Sequence, residues 1–202
     1  MRYGLVVVMM VVGFAGVVRA DEVEAVKKGV EVFVAAWQAG DAKAMREALV
    51  MPTGKDEEFG VVLGAVASVS RLQKVAVEKF GVVAKDYFAD AAEQFETRMK
   101  AIKDGGIKVT GDSAVLTIEA DAAAKTRGGT IVLVKKEGVW RIDAVSLFEV
   151  TAELVGASKS LATVADEVTE EIKKGKFAAA ADAYQAFQSR FAAAMKAQPK
   201  AE

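Results

Sequence analysis

The chain has 202 residues and a nearly balanced charge, with 27 Lys and Arg against 28 Asp and Glu. This balance predicts neither nucleic-acid binding nor attraction to an anionic membrane. Histidine and cysteine are both absent. Their absence excludes imidazole bases, His- or Cys-dependent nucleophiles and disulfides, and it removes the usual ligands of zinc and copper.

The first element, residues 1–20, has the pattern of a secretory signal peptide. Arg2 precedes an apolar run from Leu5 to Val18, and small Ala20 supplies a cleavage site before Asp21. The run is shorter than the roughly 20 residues that span a bilayer. We therefore expect export to the periplasm or the medium, with no stable membrane span after cleavage. An uncleaved N-terminal anchor is the alternative.

Two helices joined by a Gly-Asp corner are predicted next. The helix over residues 22–39 places apolar side chains on one face at spacings of three and four. Gly40 ends it, and Asp41 is expected to cap a second helix that reaches about Val50 and stops before Pro52. The inward residues of the first helix are Val23, Val26, Val30, Phe33, Val34 and Trp37.

Two longer helices follow a turn-rich segment. Asp56 is expected to cap a helix over residues 57–80, although the apolar first half of this stretch also suits a buried strand. Gly81 ends that helix. A fourth helix is predicted over residues 84–102, with Phe88, Phe95 and Met99 on one stripe.

Alternating apolar residues then predict an antiparallel meander of three to four strands, over residues 107–110, 113–121, 130–134 and 139–145. The third strand is apolar on both faces and is therefore expected to be central. Trp140 and Ile142 should point inward on the last strand. Helices must cover one side of such a sheet.

The C-terminal part, residues 149–197, predicts a helical hairpin. Its first helix should extend to Gly175, with a bend at residues 156–160 where Ser158 or Ser160 restarts the helix. The second, over residues 176–196, aligns aromatic residues along one face, so the hairpin needs a partner surface. These residues are Phe177, Tyr184, Phe187 and Phe191. Residues 198–202 are expected to form a disordered tail.

Three segments resemble the nuclear-transport-factor-2-like (NTF2-like) superfamily, of the ketosteroid-isomerase type. They are Phe33 to Asp41, Val109 to Val115, and Lys135 to Asp143 with its Gly138-Val139-Trp140 turn and strand. The segment Ala76 to Gly81 looks like exported, uncharacterised bacterial members. The resemblance implies an α+β domain over residues 21–148, with a curved sheet that wraps helices into a cone-shaped pocket. The inserted helices, residues 57–103, are expected to fill that pocket.

Within that resemblance, an isomerase-like site would need a carboxylate base and a proton donor in an apolar cavity. The strand carboxylates Glu119, Asp121 and Asp143 are the candidate bases. Tyr87 and Tyr184 are the tyrosines outside the signal, and both lie on helical stretches. The alternative is that these carboxylates are solvated or paired with Arg141 and Lys125. No catalytic, cofactor-binding or metal-binding residue is assigned.

Two further patterns have both a functional and an ordinary interpretation. The four carboxylates Asp166, Glu167, Glu170 and Glu171 lie close enough on a helix for a hard cation such as calcium. Helical spacing lacks the loop that usually wraps calcium, and Lys173 and Lys174 favour a charged surface instead. Gly60 and Gly64 favour close helix packing in the core, with a homodimer contact as the alternative. Trp37 and Trp140 are expected in the core.

Three functions remain open. The first is a non-catalytic exported domain that needs no cofactor and binds a small apolar ligand or a protein. The second is a carboxylate-dependent isomerase or lyase in an NTF2-like pocket. The third is a helical interaction module in which the hairpin binds the partner and the sheet is a scaffold.

Overall fold

The computed structural model describes residues 20–88, 106–118 and 128–198, and it has an α+β fold. The helices are α1 (Ala20–Ala39), α2 (Ala42–Glu47), α3 (Asp56–Phe80), a 3₁₀ helix (Val82–Asp86), α4 (Ala144–Leu147), α5 (Ala152–Lys173) and α6 (Ala180–Ala197). The strands are β1 (Leu49–Val50), β2 (Ile107–Thr110), β3 (Ser113–Ile118), β4 (Gly129–Lys136) and β5 (Val139–Asp143).

The sheet has five strands in the order β1-β5-β4-β3-β2. Strands β2 to β5 form the predicted antiparallel meander, and β4 occupies the centre as expected from its apolar faces. The predicted three- to four-stranded antiparallel sheet is nevertheless wrong, because β1 adds a fifth strand parallel to β5. Leu49 pairs with Ile142, and the Ile142 amide donates to the Ala48 carbonyl oxygen at 3.1 Å.

Residues 49–50 were expected at the end of the second helix, but α2 ends at Glu47. Leu49 and Val50 lie just before Pro52, where helical backbone is disfavoured, and β5 offers them a free edge. The corner before α2 forms as predicted. Gly40 has a φ of +67°, and the Asp41 carboxylate accepts a hydrogen bond from the Ala44 amide at 2.9 Å.

Helix α1 covers the inward face of the sheet. Ala114, Leu116, Trp140 and Ile142 are all buried on that face, as the strand alternation predicted. At Gly29, an added Cβ atom would lie only 2.6 Å from the Trp140 carbonyl oxygen, so the helix backbone rests directly on β5. These side chains join the apolar face of α1 and the first half of α3 in one core cluster, which we call the sheet core.

A second cluster, the helical core, lies between the helices. It joins Leu72 and Ala76 of α3 to Val168 and Ile172 of α5, and it includes Ala84 and Phe88 beside the N-terminal half of α6. Arg71 of α3 contacts Asp166 of α5, while earlier residues of both helices, including Phe59 and Leu154, reach the sheet core. Helices α3 and α5 therefore run parallel, side by side, and contribute to both cores.

Several predicted helix ends differ from the observed ones. Helix α3 begins at Asp56 itself, and its N-cap, Lys55, makes no side-chain capping bond. Asp56 instead pairs with Arg46 at 3.0 Å. The predicted fourth helix begins as the 3₁₀ turn over Val82–Asp86, and the rest of it falls in residues 89–105, outside the described residues.

The C-terminal hairpin forms, with corrected boundaries. Helix α5 begins after Thr151 and is continuous, so the expected restart at Ser158 or Ser160 does not occur. Helix α6 begins at Ala180, because residues up to Ala179 form the connection and the Asp182 carboxylate accepts from the Ala179 amide. The predicted tail begins at Gln198, whose side-chain amide donates to the Ser160 hydroxyl at 2.9 Å. Its remaining residues, 199–202, lie outside the described part of the chain.

Candidate functional site

Of the three carboxylates proposed as bases for an isomerase-like site, Asp143 lies among the described residues. Asp143 ends β5 and caps α4, where one of its oxygens accepts a hydrogen bond from the Val145 amide at 3.3 Å. Glu119 and Asp121 lie outside the described residues, as does Lys125. The carboxylate of Asp143 therefore has a local structural role as a helix cap.

Where β5 ends, a hydroxyl group of α4 takes its place as the hydrogen-bond partner of β4. The Ser146 side chain of α4 accepts a hydrogen bond from the Val132 amide at 3.1 Å and donates to the Asp143 carbonyl oxygen at 2.7 Å. Without this contact, the backbone at Val132 would lose its partner where β5 turns into α4. The Ser146 hydroxyl therefore completes the backbone hydrogen bonding of β4 beyond the end of β5.

The two tyrosines outside the signal-like segment, Tyr87 and Tyr184, lie in contact with each other. Their ring centroids lie 5.9 Å apart, and Phe88 packs edge-on against Tyr184 at 5.4 Å. The Tyr184 hydroxyl oxygen accepts a hydrogen bond from the Gln188 side chain at 2.6 Å. Tyr184 packs against the helical core, whereas Asp143 caps α4 at the end of β5. The geometry of the tyrosine pair therefore supports packing between the 3₁₀ helix and α6.

The four acidic residues of α5 are paired with basic side chains. Asp166 contacts Arg71 of α3 at 3.3 Å, and Glu170 contacts Lys173 at 2.8 Å. Glu171 contacts both Lys176 at 3.1 Å and Arg190 of α6 at 2.9 Å. Glu167 lies 3.9 Å from Arg190. The ion pairs confirm the interpretation of this segment as a charged surface, and they link α5 to both neighbouring helices.

These contacts change the acidity of two carboxyl groups. The hydrogen bond from Lys173 lowers the pKa of Glu170 below its usual value, and the charge of Lys173 lowers it further. Hydrogen bonds from Lys176 and then Arg190 lower the pKa of Glu171. A lowered pKa keeps both groups ionised at neutral pH, as needed for ion pairing but not for donating a proton. Among the described residues, no group of three acidic side chains is placed to hold a metal ion.

Trp140 lies in the sheet core as predicted, and its environment is unusual in one respect. The side chain is only 3% exposed, yet its indole N–H has no hydrogen-bond partner among the described residues. The ammonium group of Lys135 lies 5.6 Å from the ring centroid, and it also contacts Glu22 of α1 at 3.1 Å. Through these two contacts, Lys135 of β4 connects Trp140 of β5 with Glu22 of α1. Trp37 packs at the edge of the same core, 5.9 Å from Phe33.

The two glycines of α3 do not form the predicted close contact in the core. An added Cβ atom at Gly64 would meet nothing within 4 Å, and one at Gly60 would meet only Arg46, at 3.9 Å. The large apolar side chains of α3 lie on other faces of the helix. The face that carries Gly60 and Gly64 is therefore half-exposed. Close helix approach occurs instead at Gly29, which the sequence pattern did not single out.

The sequence pattern also missed an exposed apolar patch after α3. Val82 and Val83 of the 3₁₀ helix are 77% and 49% exposed, and neighbouring Tyr87 is 38% exposed. We call these three residues the apolar patch. The signal is present in the sequence, since two valines follow Gly81 directly, but no predicted element includes them. The patch lies beside the aromatic contacts between Tyr87, Phe88 and α6.

One described helix, α3, is long and apolar enough to cross a membrane on length and composition. Phe59, Leu63 and Leu72 of this helix are core residues of the fold, and the core helix of a soluble protein can meet the same criterion.

Comparisons with known proteins give no relative from which a role can be transferred. No family model matches the chain, and no match is found among curated proteins or solved structures.

Proposed function

We propose that this chain is a non-catalytic exported domain of the NTF2-like type that binds a protein partner through its surface. The observation that carries this proposal is the packed inward face of the sheet. Leu133 and Ile142 there have no exposed surface, and Gly29 of α1 rests on the backbone of Trp140. A small-ligand binder or an isomerase of this type would need an open cavity at that place.

The NTF2-like assignment is supported by the order of the elements. A first helix ends at the Gly40-Asp41 corner, and the later strands form a sheet whose hairpin contains Lys135, Gly138 and Trp140. Helix α1 packs on the inward face together with the first half of α3, whereas the sequence expectation assigned this place to the inserted helices alone. Export rests on the signal-like pattern of residues 1–20.

A surface role is favoured over catalysis by the state of the described carboxylates. Asp143 caps a helix, and the acidic residues of α5 are held in ion pairs. A general base needs access to a substrate proton in a shaped site. The isomerase or lyase alternative therefore has no favourable observation among the described residues.

The helical interaction module remains a second candidate, and the apolar patch is the observation that favours it. Exposed Val and Tyr side chains close together in sequence are typical of protein-binding surfaces, where aromatic residues are enriched. The patch adjoins α6 through the contact of Tyr87 with Tyr184. On this proposal, the partner presents an apolar surface to the 3₁₀ helix and the start of α6.

A photo-crosslinking amino acid placed at one of two matched valines tests this proposal in cells that export the chain. Val83 lies in the apolar patch and is 49% exposed, whereas Val32 lies on α1 and is 52% exposed. We expect a discrete crosslinked species from position 83 that is absent from position 32. The added substitution Tyr87→Asp should abolish it while leaving the circular dichroism spectrum unchanged.

Two outcomes would contradict the proposal. Equal crosslinking from positions 83 and 32 would show that the patch has no special role. Native mass spectrometry of the purified protein provides the other test. A small apolar molecule retained at one-to-one stoichiometry would support the ligand-binding alternative and would require a cavity in the fold.

A further inference from the structure

We draw no further inference here: the strongest candidate, the outward face of β3, β4 and β5 where Val115, Val132 and Val134 lie beside Arg141, is an apolar sheet face, and nothing in the described residues shows what covers it.

Discussion

Position 29 requires a residue without a side chain, because α1 meets β5 there at backbone distance. The nearest atoms to an added Cβ would be the carbonyl oxygen of Trp140 at 2.6 Å and its Cβ at 3.1 Å. A carbonyl oxygen in a strand cannot move without disturbing the sheet. The glycine therefore sets how closely the helix approaches, and this approach seals the inward face around Trp140.

We expect Gly29→Ala to destabilise the protein by about 1–3 kcal/mol, since the added methyl group forces α1 away from the sheet. Gly64→Ala is the matched control, because it lies in α3 with open space around it. That substitution should stabilise the helix by about 0.5–1 kcal/mol through reduced backbone entropy in the unfolded chain. Urea denaturation of both variants measures the difference. Equal stabilities would contradict the close contact at position 29.

Glu171 gives the ion pairs of the hairpin a defined pH dependence. Its pKa in the folded protein is lowered from the ordinary value of 4.5 by Lys176 and Arg190. Stabilisation from a lowered carboxyl pKa is fully present above the pKa of the unfolded chain. It is lost as the pH falls through the lower pKa of the folded state.

We therefore expect Glu171→Gln to lower the Tm at pH 7 and to have less effect as the pH falls below 4.5. The shift should be small, because the group is in contact with water and exposed ion pairs contribute little. Glu149→Gln is the control, since the structure gives that residue no ion pair among the described residues. Thermal melts at pH 7 and pH 3 measure the effect. A Glu171→Gln shift that stays constant or grows toward pH 3 would contradict the assignment.

Helix α5 depends on a defined start, because it follows an extended segment after α4. The Thr151 hydroxyl accepts a hydrogen bond from the Leu154 amide at 3.1 Å and so satisfies one of the free N–H groups of the first turn. A second threonine on the same helix has a different role. The Thr163 hydroxyl donates to the Lys159 carbonyl oxygen at 3.0 Å on the exposed side.

Thr151→Ala should cost about 1 kcal/mol, the usual loss for removing an N-cap side chain. Thr163→Ala should be neutral or stabilising by a few tenths of a kcal/mol, since alanine has the higher helix propensity. Chemical denaturation of both variants compares the same substitution at two positions of one helix. If both variants lose the same stability, the capping role of Thr151 is wrong.

Local patterns predicted the elements whose cause is local. The alternation at Ala114 and Leu116, the corner at Gly40-Asp41 and the inward face of α1 all follow from short-range spacing. Strand β1 could not be predicted in this way, because Leu49 gains its partner from distant Ile142. Next to Gly156 the side chain of distant Gln198 packs against α5 and donates to Ser160, a contact that spacing within the helix does not reveal.

The apolar patch was less predictable than the fold, because the exposure of a side chain depends on which distant residues pack against it. Val82 and Val83 have the same side chain as core valines such as Val26, and their sequence context did not separate them. The pairing of the acidic residues on α5 was partly predictable, because Lys173 is near in sequence. Arg71 and Arg190 come from other helices, so their ion pairs needed the fold.

At the scale of the molecule, the described residues form two cores that share α3 and α5. The first half of α3 lies in the sheet core and the second half in the helical core. Because α3 is one continuous helix, unfolding of one half removes packing and hydrogen bonds that the other half needs. We therefore expect the two cores to unfold together, although the sequence predicts a division between residues 148 and 149.

Two equivalent substitutions in α3 test this cooperativity. Leu63→Ala lies in the sheet core and Leu72→Ala in the helical core, and both leucines are at most 1% exposed. Each should cost about 2–5 kcal/mol and shift a single transition. Denaturation followed by Trp fluorescence and by far-ultraviolet circular dichroism should give coincident curves. If Leu72→Ala splits the transition and leaves the fluorescence curve unchanged, the two parts are independent domains.

The parallel pairing of β1 with β5 also constrains the order in which the chain acquires structure. Leu49 is synthesised long before Ile142, so the edge of the sheet cannot close until almost three quarters of the chain is present. The entropy cost of closing so long a loop favours formation of this pair after the local β4–β5 hairpin. During synthesis, which starts at the N-terminus, the first helices would therefore remain without a completed sheet until β5 has been made.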